Sequence, residues 1–344
     1  MINKKLKIFG IESSCDESAL SLIEINKDEI KLIKNLISSQ VEIHKQFGGI
    51  VPEVAARHHA ENFFPLLKEL NIDIARDVDL IATTYGPGLI TSLVIGLELG
   101  KTLSYIYKKP LIPINHIEAH IYSNWLTHNE LFDKKKTFPA LAVVISGGHT
   151  QIFLMKNYGK YKLIGETVDD AVGEAYDKVA KILNLGYPGG PIINKLSHEF
   201  TGKPSFEFPR PMLNTKDYNF SFSGLKTAVL YKFKQETRAI TDEIKKEYCF
   251  AFESAVCDVL SKKIITACKN YSVKNIILGG GVSANSSIRD RISNDSQKLG
   301  VKTYFPEIKH TGDNAAMIAI AGYFNKNKKK KNNFGIIAHP NLKL

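Results

Sequence analysis

The chain is poor in cysteine, tryptophan and arginine, and it lacks any long apolar run. Its four cysteines, Cys15, Cys249, Cys257 and Cys268, make no C-x-x-C pair, so neither a disulfide framework nor a thiolate metal knuckle is expected, and a reducing compartment is. No stretch approaches the roughly 20 apolar residues that span a bilayer. The apolar run after Lys7 is interrupted by Gly10 and Glu12, so no signal peptide is expected there. A cytoplasmic protein with no membrane contact is expected. There is no G-x-x-x-x-G-K-[ST], which excludes a P-loop as the phosphate-binding device. Arginine supplies only 6 of the 46 basic residues, so the net charge of +11 reads first as a lysine-rich composition and not as a selected nucleic-acid surface. Lys326 and the lysines at 328–331 read as a solvated, tail-like run.

What is present is enough for a large core: 344 residues, 44% of them hydrophobic, allow two domains or one duplicated plan. Residues 6–11, 19–25 and 31–38 read as three strands. Pro52 stands at the first turn of an amphipathic helix reaching about Leu70. Then come a strand at 79–84, a Tyr85-Gly86-Pro87-Gly88 turn, a helix at 89–107, a short strand at 110–115, and a charged loop at 127–138. The grammar starts again with strands at 141–145, 151–155 and 161–166. It continues with a strand at 273–278, a Gly279-Gly280-Gly281 turn and a helix from Ser286. Alternating strands and helices argue for α/β layers. The expected division is a first lobe of residues 1–138, closed by about 312–344, and a second of 139–311 with an insertion at about 186–245. In that insertion Ser223 is offered as a helix N-cap. The apolar stripe on the helix at 242–267 is expected to be core.

Chemistry concentrates in residues 116–151. If His116-Ile117-Glu118-Ala119-His120 is helical, its i,i+4 spacing stacks both imidazoles on one face, which suits two ligands of one metal; two ordinary histidines remain the other reading. Asp313 is the candidate third member of a two-histidine, one-carboxylate set, although its place before Ala315-Ala316-Met317 reads first as a helix cap, and the two roles can coexist. The apolar strand at 140–145 empties into Ser146-Gly147-Gly148-His149-Thr150, a turn of small residues able to hold an anion or an acyl-adenylate. Three comparable turns lie at 12–18, 85–88 and 279–285. Backbone N–H groups beyond the carboxyl ends of strands receive phosphate in α/β sheets, so a nucleotide cleft between two lobes is the leading expectation. Glu174 and Lys178 read as a surface i,i+4 pair, and Asp177 as a residue near the following glycine loop.

In order and spacing, Gly10-Ile-Glu-Ser-Ser-Cys-Asp-Glu, His116-x-x-x-His120, Val144-Ile-Ser-Gly-Gly-His-Thr150, Asp169-Asp-Ala-x-Gly-Glu-Ala-Tyr-Asp177-Lys, Tyr187-Pro-Gly-Gly-Pro, Phe222-Ser-Gly-Leu-Lys-Thr, Gly279-Gly-Gly-Val-x-Ala-Asn285 and Gly312-Asp-Asn-x-Ala resemble the bacterial TsaD family, the tRNA N6-adenosine threonylcarbamoyltransferases once called glycoproteases. The resemblance covers nearly the whole chain. It implies an actin-like ATPase and sugar-kinase superfamily fold, with two RNase H-like lobes and a central cleft. It implies transfer of threonylcarbamoyl from threonylcarbamoyl-AMP to N6 of the adenosine beside the anticodon, position 37, in tRNAs reading codons that begin with A. The family's metal ligands fall on His116, His120 and Asp313, with iron as Fe2+ and zinc as the alternative. Its substrate contacts fall on Val144, Ile145, Ser146, Gly147, Gly148, Asp177, Gly190 and Asn285, and Glu12 is placed facing the nucleotide. Implied partners are tRNA, a paralogous TsaB-like subunit and a small TsaE-like P-loop ATPase. One departure is His310-Thr311 where many relatives carry a cysteine, which offers His310 as an extra ligand. The rival readings are a metalloprotease, disfavoured because Ile117 and not glutamate follows His116, and an ATP-dependent kinase-like enzyme of the same fold.

Overall fold

A computed structural model describes residues 5–328 and 334–344; of the lysine run noted above, the lysines at 329–331 lie outside the described residues. The chain divides into two units, one formed by Met1–Lys134 with Pro306–Leu344 and the other by Lys135–Phe305.

Unit 1 carries a five-stranded sheet in the order β3-β2-β1-β4-β5. Its strands are β1 (Leu6–Glu12), β2 (Glu17–Asn26), β3 (Glu29–Ser39), β4 (Leu80–Gly86) and β5 (Leu111–Asn115). The first three form an antiparallel meander in which Gly10 faces Ser21; β4 and β5 join parallel to β1, with Ile8 opposite Leu80 and Ile81 opposite Leu111. One face is covered by α1 (Pro52–Leu70) and α2 (Ile90–Tyr107), burying Phe9, Ile11, Leu20 and Leu22 against Phe63, Leu66, Leu70 and Leu103. The amphipathic helix expected from Pro52 forms over those bounds, with the proline in its first turn.

Because β1, β4 and β5 run parallel, their carboxyl ends share one edge of the sheet. Directly after β5 comes α3 (His116–Tyr122), its amino end capped by Asn115 Oδ1, which accepts from the N–H groups of Ile117 at 2.8 Å and Glu118 at 3.1 Å. The last α-helix of the unit, α9 (Ala315–Phe324), is buried from Ala315 to Gly322 and packs on β1, β2, β4 and α3. Its all-round apolar sequence is that of a helix with no solvent face.

Unit 2 repeats the plan, with sheet order β10-β9-β6-β7-β8. Its strands are β6 (Ala140–Ile145), β7 (Thr150–Asn157), β8 (Lys160–Glu166), β9 (Asn275–Gly279) and β10 (Lys302–Tyr304). Again three antiparallel strands lead, and the fourth and fifth return parallel to the first. β6 is buried along its whole length, as its unbroken apolar run requires. Its helices are α4 (Val172–Ile182), α5 (Gly189–Glu199), α6 (Ser223–Lys234), α7 (Asp242–Tyr271) and α8 (Ser286–Gln297). The stripe expected on α7 is core: Phe252, Ala255, Val256, Val259 and Ile264 are all buried. The aromatic insertion is core as well, since Phe208, Phe220 and Phe222 are buried in the same cluster. The charged loop at 127–138 differs from expectation, for it winds into short helical turns at Asn129–Phe132 and Lys134–Thr137 and buries Leu131.

Candidate metal centre and glycine-turn site

Parallel strand ends bring the metal candidates together. The donor atoms of His116, His120 and Asp313 lie within 4.8 Å of one another. Asp313 Oδ1 is 3.5 Å from His116 Nε2 and 3.1 Å from His120 Nε2, and the two rings meet edge to face with centroids 4.5 Å apart. Asp313 is therefore not the helix cap that its sequence position also allowed: Asn314 takes that place and accepts from the Met317 N–H at 3.0 Å, leaving the aspartate carboxylate aimed at the histidines. His120 is fully buried; its Nδ1 has no hydrogen-bond partner, and its Nε2 faces only the Asp313 carboxylate at 3.1 Å. A polar group so placed is costly unless something satisfies it, and a cation between two imidazoles and a carboxylate would do so. His310 is buried but lies outside this group of three.

Behind His116 stands Glu12, fully buried at the end of β1. His116 donates from Nδ1 to Glu12 Oε2 at 3.2 Å, Thr84 donates from Oγ1 to the same oxygen at 2.6 Å, and the Ser14 N–H donates to Oε1. Burial alone would lower the His116 pKa, but the charges of Asp313 and Glu12 outweigh it and raise it to about 9. His120 moves the opposite way, held down by burial and by the charge on His116. Burial would raise Glu12, yet its bond and attraction to His116 leave it lowered. Glu12 was expected at the nucleotide; its contacts here are with a metal-candidate histidine, an arrangement that fixes the ring's tautomer and leaves Nε2 for an ion.

In unit 2, Val144 and Ile145 are fully buried in β6, so they can offer a ligand only backbone. The following turn closes through a 2.8 Å bond from the Ser146 N–H to the His149 carbonyl, which leaves the amides of exposed Gly147 and Gly148 as the donors for an anion. A Cβ added at Gly147, Gly148 or Gly190 would meet nothing within 4 Å, so the fold itself does not demand glycine at these positions. Gly280 is different. Its φ of +91° favours glycine, and a Cβ there would run into the Ile145 carbonyl. Asp177 Oδ1 accepts from the Gly189 N–H at 2.7 Å, tying α4 to the start of α5 and to Gly190. Asn285 caps α8 through the Ile288 N–H at 3.0 Å. Glu174 and Lys178 form the expected ion pair at 2.7 Å. Ser223, offered as an N-cap, is the first helical residue of α6 and caps nothing; Asp169 does the capping, accepting from the N–H groups of Phe222 and Ser223. Sequence reasoning also missed Thr84, Asn194 and Glu253, whose partners lie far away along the chain.

The repeated sheet order and its connections define a two-lobed α/β protein of the actin-like ATPase fold. Solved structures with that likeness include HypF of T. kodakarensis, with TM-score 0.59 and 12% identity, covering 95% of this chain and 49% of that one. Component A of the Acidaminococcus fermentans (R)-2-hydroxyglutaryl-CoA dehydratase gives TM-score 0.52 at 15% identity, covering 94% and 100%. These likenesses establish the fold alone. Residues 31–320 match the family TsaD, tRNA N6-adenosine threonylcarbamoyltransferase. A relative from Persephonella marina carrying that name is 46% identical over 92% of this chain and 90% of its own; one from Thermosipho africanus is 45% identical over 98% and 99%. The chain belongs to the tRNA N6-adenosine threonylcarbamoyltransferase family, and with it to the acyltransferases; the protease and kinase readings are set aside.

Proposed function

We propose that the chain moves a threonylcarbamoyl group from threonylcarbamoyl-AMP to N6 of the adenosine at position 37 in tRNAs that read codons beginning with A. An adenine exocyclic amine is a weak nucleophile because its lone pair is delocalised into the ring. The acyl group must therefore arrive activated, with AMP as leaving group. The observation that carries this reading is the convergence of His116, His120 and Asp313, with His120 buried and its Nε2 facing only Asp313. Those three residues would hold one divalent ion, Fe2+ by family resemblance with zinc as the alternative. When bound, such an ion supplies Lewis acidity toward the threonylcarbamoyl oxygens. Glu12 holds the His116 ring by accepting from Nδ1. The Gly147 and Gly148 amides are suited to negative charge on a donor nucleotide, with Asp177 and Gly190 as further donor contacts. The anticodon loop is single stranded, so its bases can be splayed toward the enzyme.

Among the described residues no helix is long and apolar enough to cross a membrane. That fits the proposed cytoplasmic place, where the chain would act with a TsaB-like paralogous subunit and a TsaE-like ATPase. The test is incorporation of labelled threonine into tRNA by the chain with those two partners, ATP and bicarbonate. Full incorporation by wild type and less than a hundredth of it by His116→Ala is expected. Equal incorporation by the two, or none by wild type given threonylcarbamoyl-AMP directly, overturns the proposal.

A further inference from the structure

Glu253, in the middle of α7, is 1% exposed and accepts hydrogen bonds from four side chains. Asn285 Nδ2 donates to its Oε1 at 2.6 Å, the Tyr176 hydroxyl to the same oxygen at 3.2 Å, and Asn194 Nδ2 to it at 3.2 Å; Ser287 Oγ donates to Oε2 at 2.7 Å. None of these partners is cationic, although burying a carboxylate is costly unless its charge is well compensated. What the four donors have in common is where they sit. Tyr176 adjoins Asp177 on α4, Asn194 lies one turn past Gly190 on α5, and Asn285 and Ser287 open α8. One buried oxygen pair thus joins the three elements that carry Asp177, Gly190 and Asn285.

The Asn285 amide is tied into the same network. Its Nδ2 donates to Glu253 and, at 3.3 Å, to the Tyr176 hydroxyl; its Oδ1 accepts from the Ile288 N–H at 3.0 Å and from Asn194 Nδ2 at 3.3 Å. A carboxamide has two donor hydrogens and two acceptor sites; both hydrogens and one acceptor site are engaged within the protein, and the other acceptor site faces Asn194 Nδ2, which also has Glu253 and Ser287 in reach.

We propose that Glu253 is a positioning residue of the donor-nucleotide site, and that Asn285 serves the ligand by placing the backbone at the start of α8 and not through its side-chain amide. This rests on the reading of Asp177, Gly190 and Asn285 as donor contacts.

The charges at this pair allow a repair experiment. In Asn285→Asp, two carboxylates face each other at the Glu253 contact while the helix cap survives, since an aspartate still accepts from the Ile288 N–H. Adding Glu253→Gln restores the bond, with the new amide donating to the carboxylate that replaces the Asn285 amide. AMP affinity is measured by calorimetry on the full chain, with the thermal midpoint and the metal content of the His116 site as folding controls. Asn285→Asp should weaken AMP binding at least tenfold, and the double variant should return it to within about threefold of wild type. Separately, Glu253→Ala should weaken AMP tenfold or more and raise the donor KM with kcat little changed, whereas Glu253→Gln recovers most of that loss. A double variant folded as wild type but as weak as Asn285→Asp, or a folded Glu253→Ala that binds AMP normally, overturns the positioning role. Failure of wild type itself to bind AMP or threonylcarbamoyl-AMP overturns the donor reading, and this inference with it.

Discussion

Glu12 shows how much of a site can hang on one fully buried carboxylate. Its carboxylate accepts from His116 Nδ1, Thr84 Oγ1 and the Ser14 N–H. Carboxylates so placed behind a liganding imidazole typically alter metal affinity by about 10–100-fold when removed. Glu12→Gln, whose amide oxygen can still accept from His116, should weaken the metal about tenfold, and Glu12→Ala about a hundredfold, measured by competition with a chromogenic chelator. Asp313→Ala removes one of the three proposed ligands and should drop metal content below a tenth of an ion per chain after dialysis, read by mass spectrometry. Unchanged affinity in Glu12→Ala would mean that the His116 ring is held by its packing alone. The two histidines were legible in the sequence because their i,i+4 spacing is itself geometry. Asp313 was legible only as a choice between ligand and cap, since local sequence cannot say which of two adjacent residues, Asp313 or Asn314, turns toward the helix. Glu12 was placed facing the nucleotide by the family resemblance; nothing local marks its contact with a histidine 104 residues away.

At the level of elements, the repeated strand, turn and helix grammar was visible because each strand carries its own period and each turn its own glycines, both local properties. Capping of α6 was not. Ser223 fits the rule for a helix start, but the cap comes from Asp169, whose carboxylate accepts from the Ser221 hydroxyl and from the Phe222 and Ser223 N–H groups. A local rule misses a cap that arrives from another segment. The two residues therefore separate in stability: Asp169→Ala should cost about 1–2 kcal/mol, the upper part of the range for a lost cap, and Ser223→Ala less than about 0.5 kcal/mol, as for a surface change that removes no special feature. Urea midpoints at constant m-value decide it, and equal losses would reject the outside cap. The insertion makes a related point: between α5 and α6 the chain forms no helix or strand, yet Phe208, Phe220 and Phe222 are core. Composition reports how a segment connects, whereas burial depends on what it lies against.

For the molecule as a whole, the buried histidines of unit 1 set a pH dependence that the net charge of +11 does not reveal. His59 is held neutral mainly by burial, sharing hydrogen bonds with Ser18 Oγ at 2.7 Å and the Cys15 carbonyl at 3.0 Å; burial likewise lowers His44 and His310. A histidine with a lowered folded pKa binds fewer protons folded than unfolded. Its contribution is present above the unfolded value of about 6.5 and is lost as pH falls through the folded one. His116, raised to about 9, works with the opposite sign: its contribution is full below about 6.5 and is lost as pH rises through 9. His120, lowered by burial and by the charge on His116, adds to the first set, and Glu17, its carboxyl raised mainly by burial, adds to the second; four groups against two make acid the weaker side, each changing stability by at most about 1.4 kcal/mol per pH unit. With chelator present, the urea midpoint should fall between pH 7.5 and 5.5, and His59→Asn should make that fall shallower. Without chelator the fall should be steeper, because protons then also compete with a metal for its ligands. A midpoint that stays flat or rises toward pH 5.5 in chelator would mean that these histidines are already charged in the folded chain.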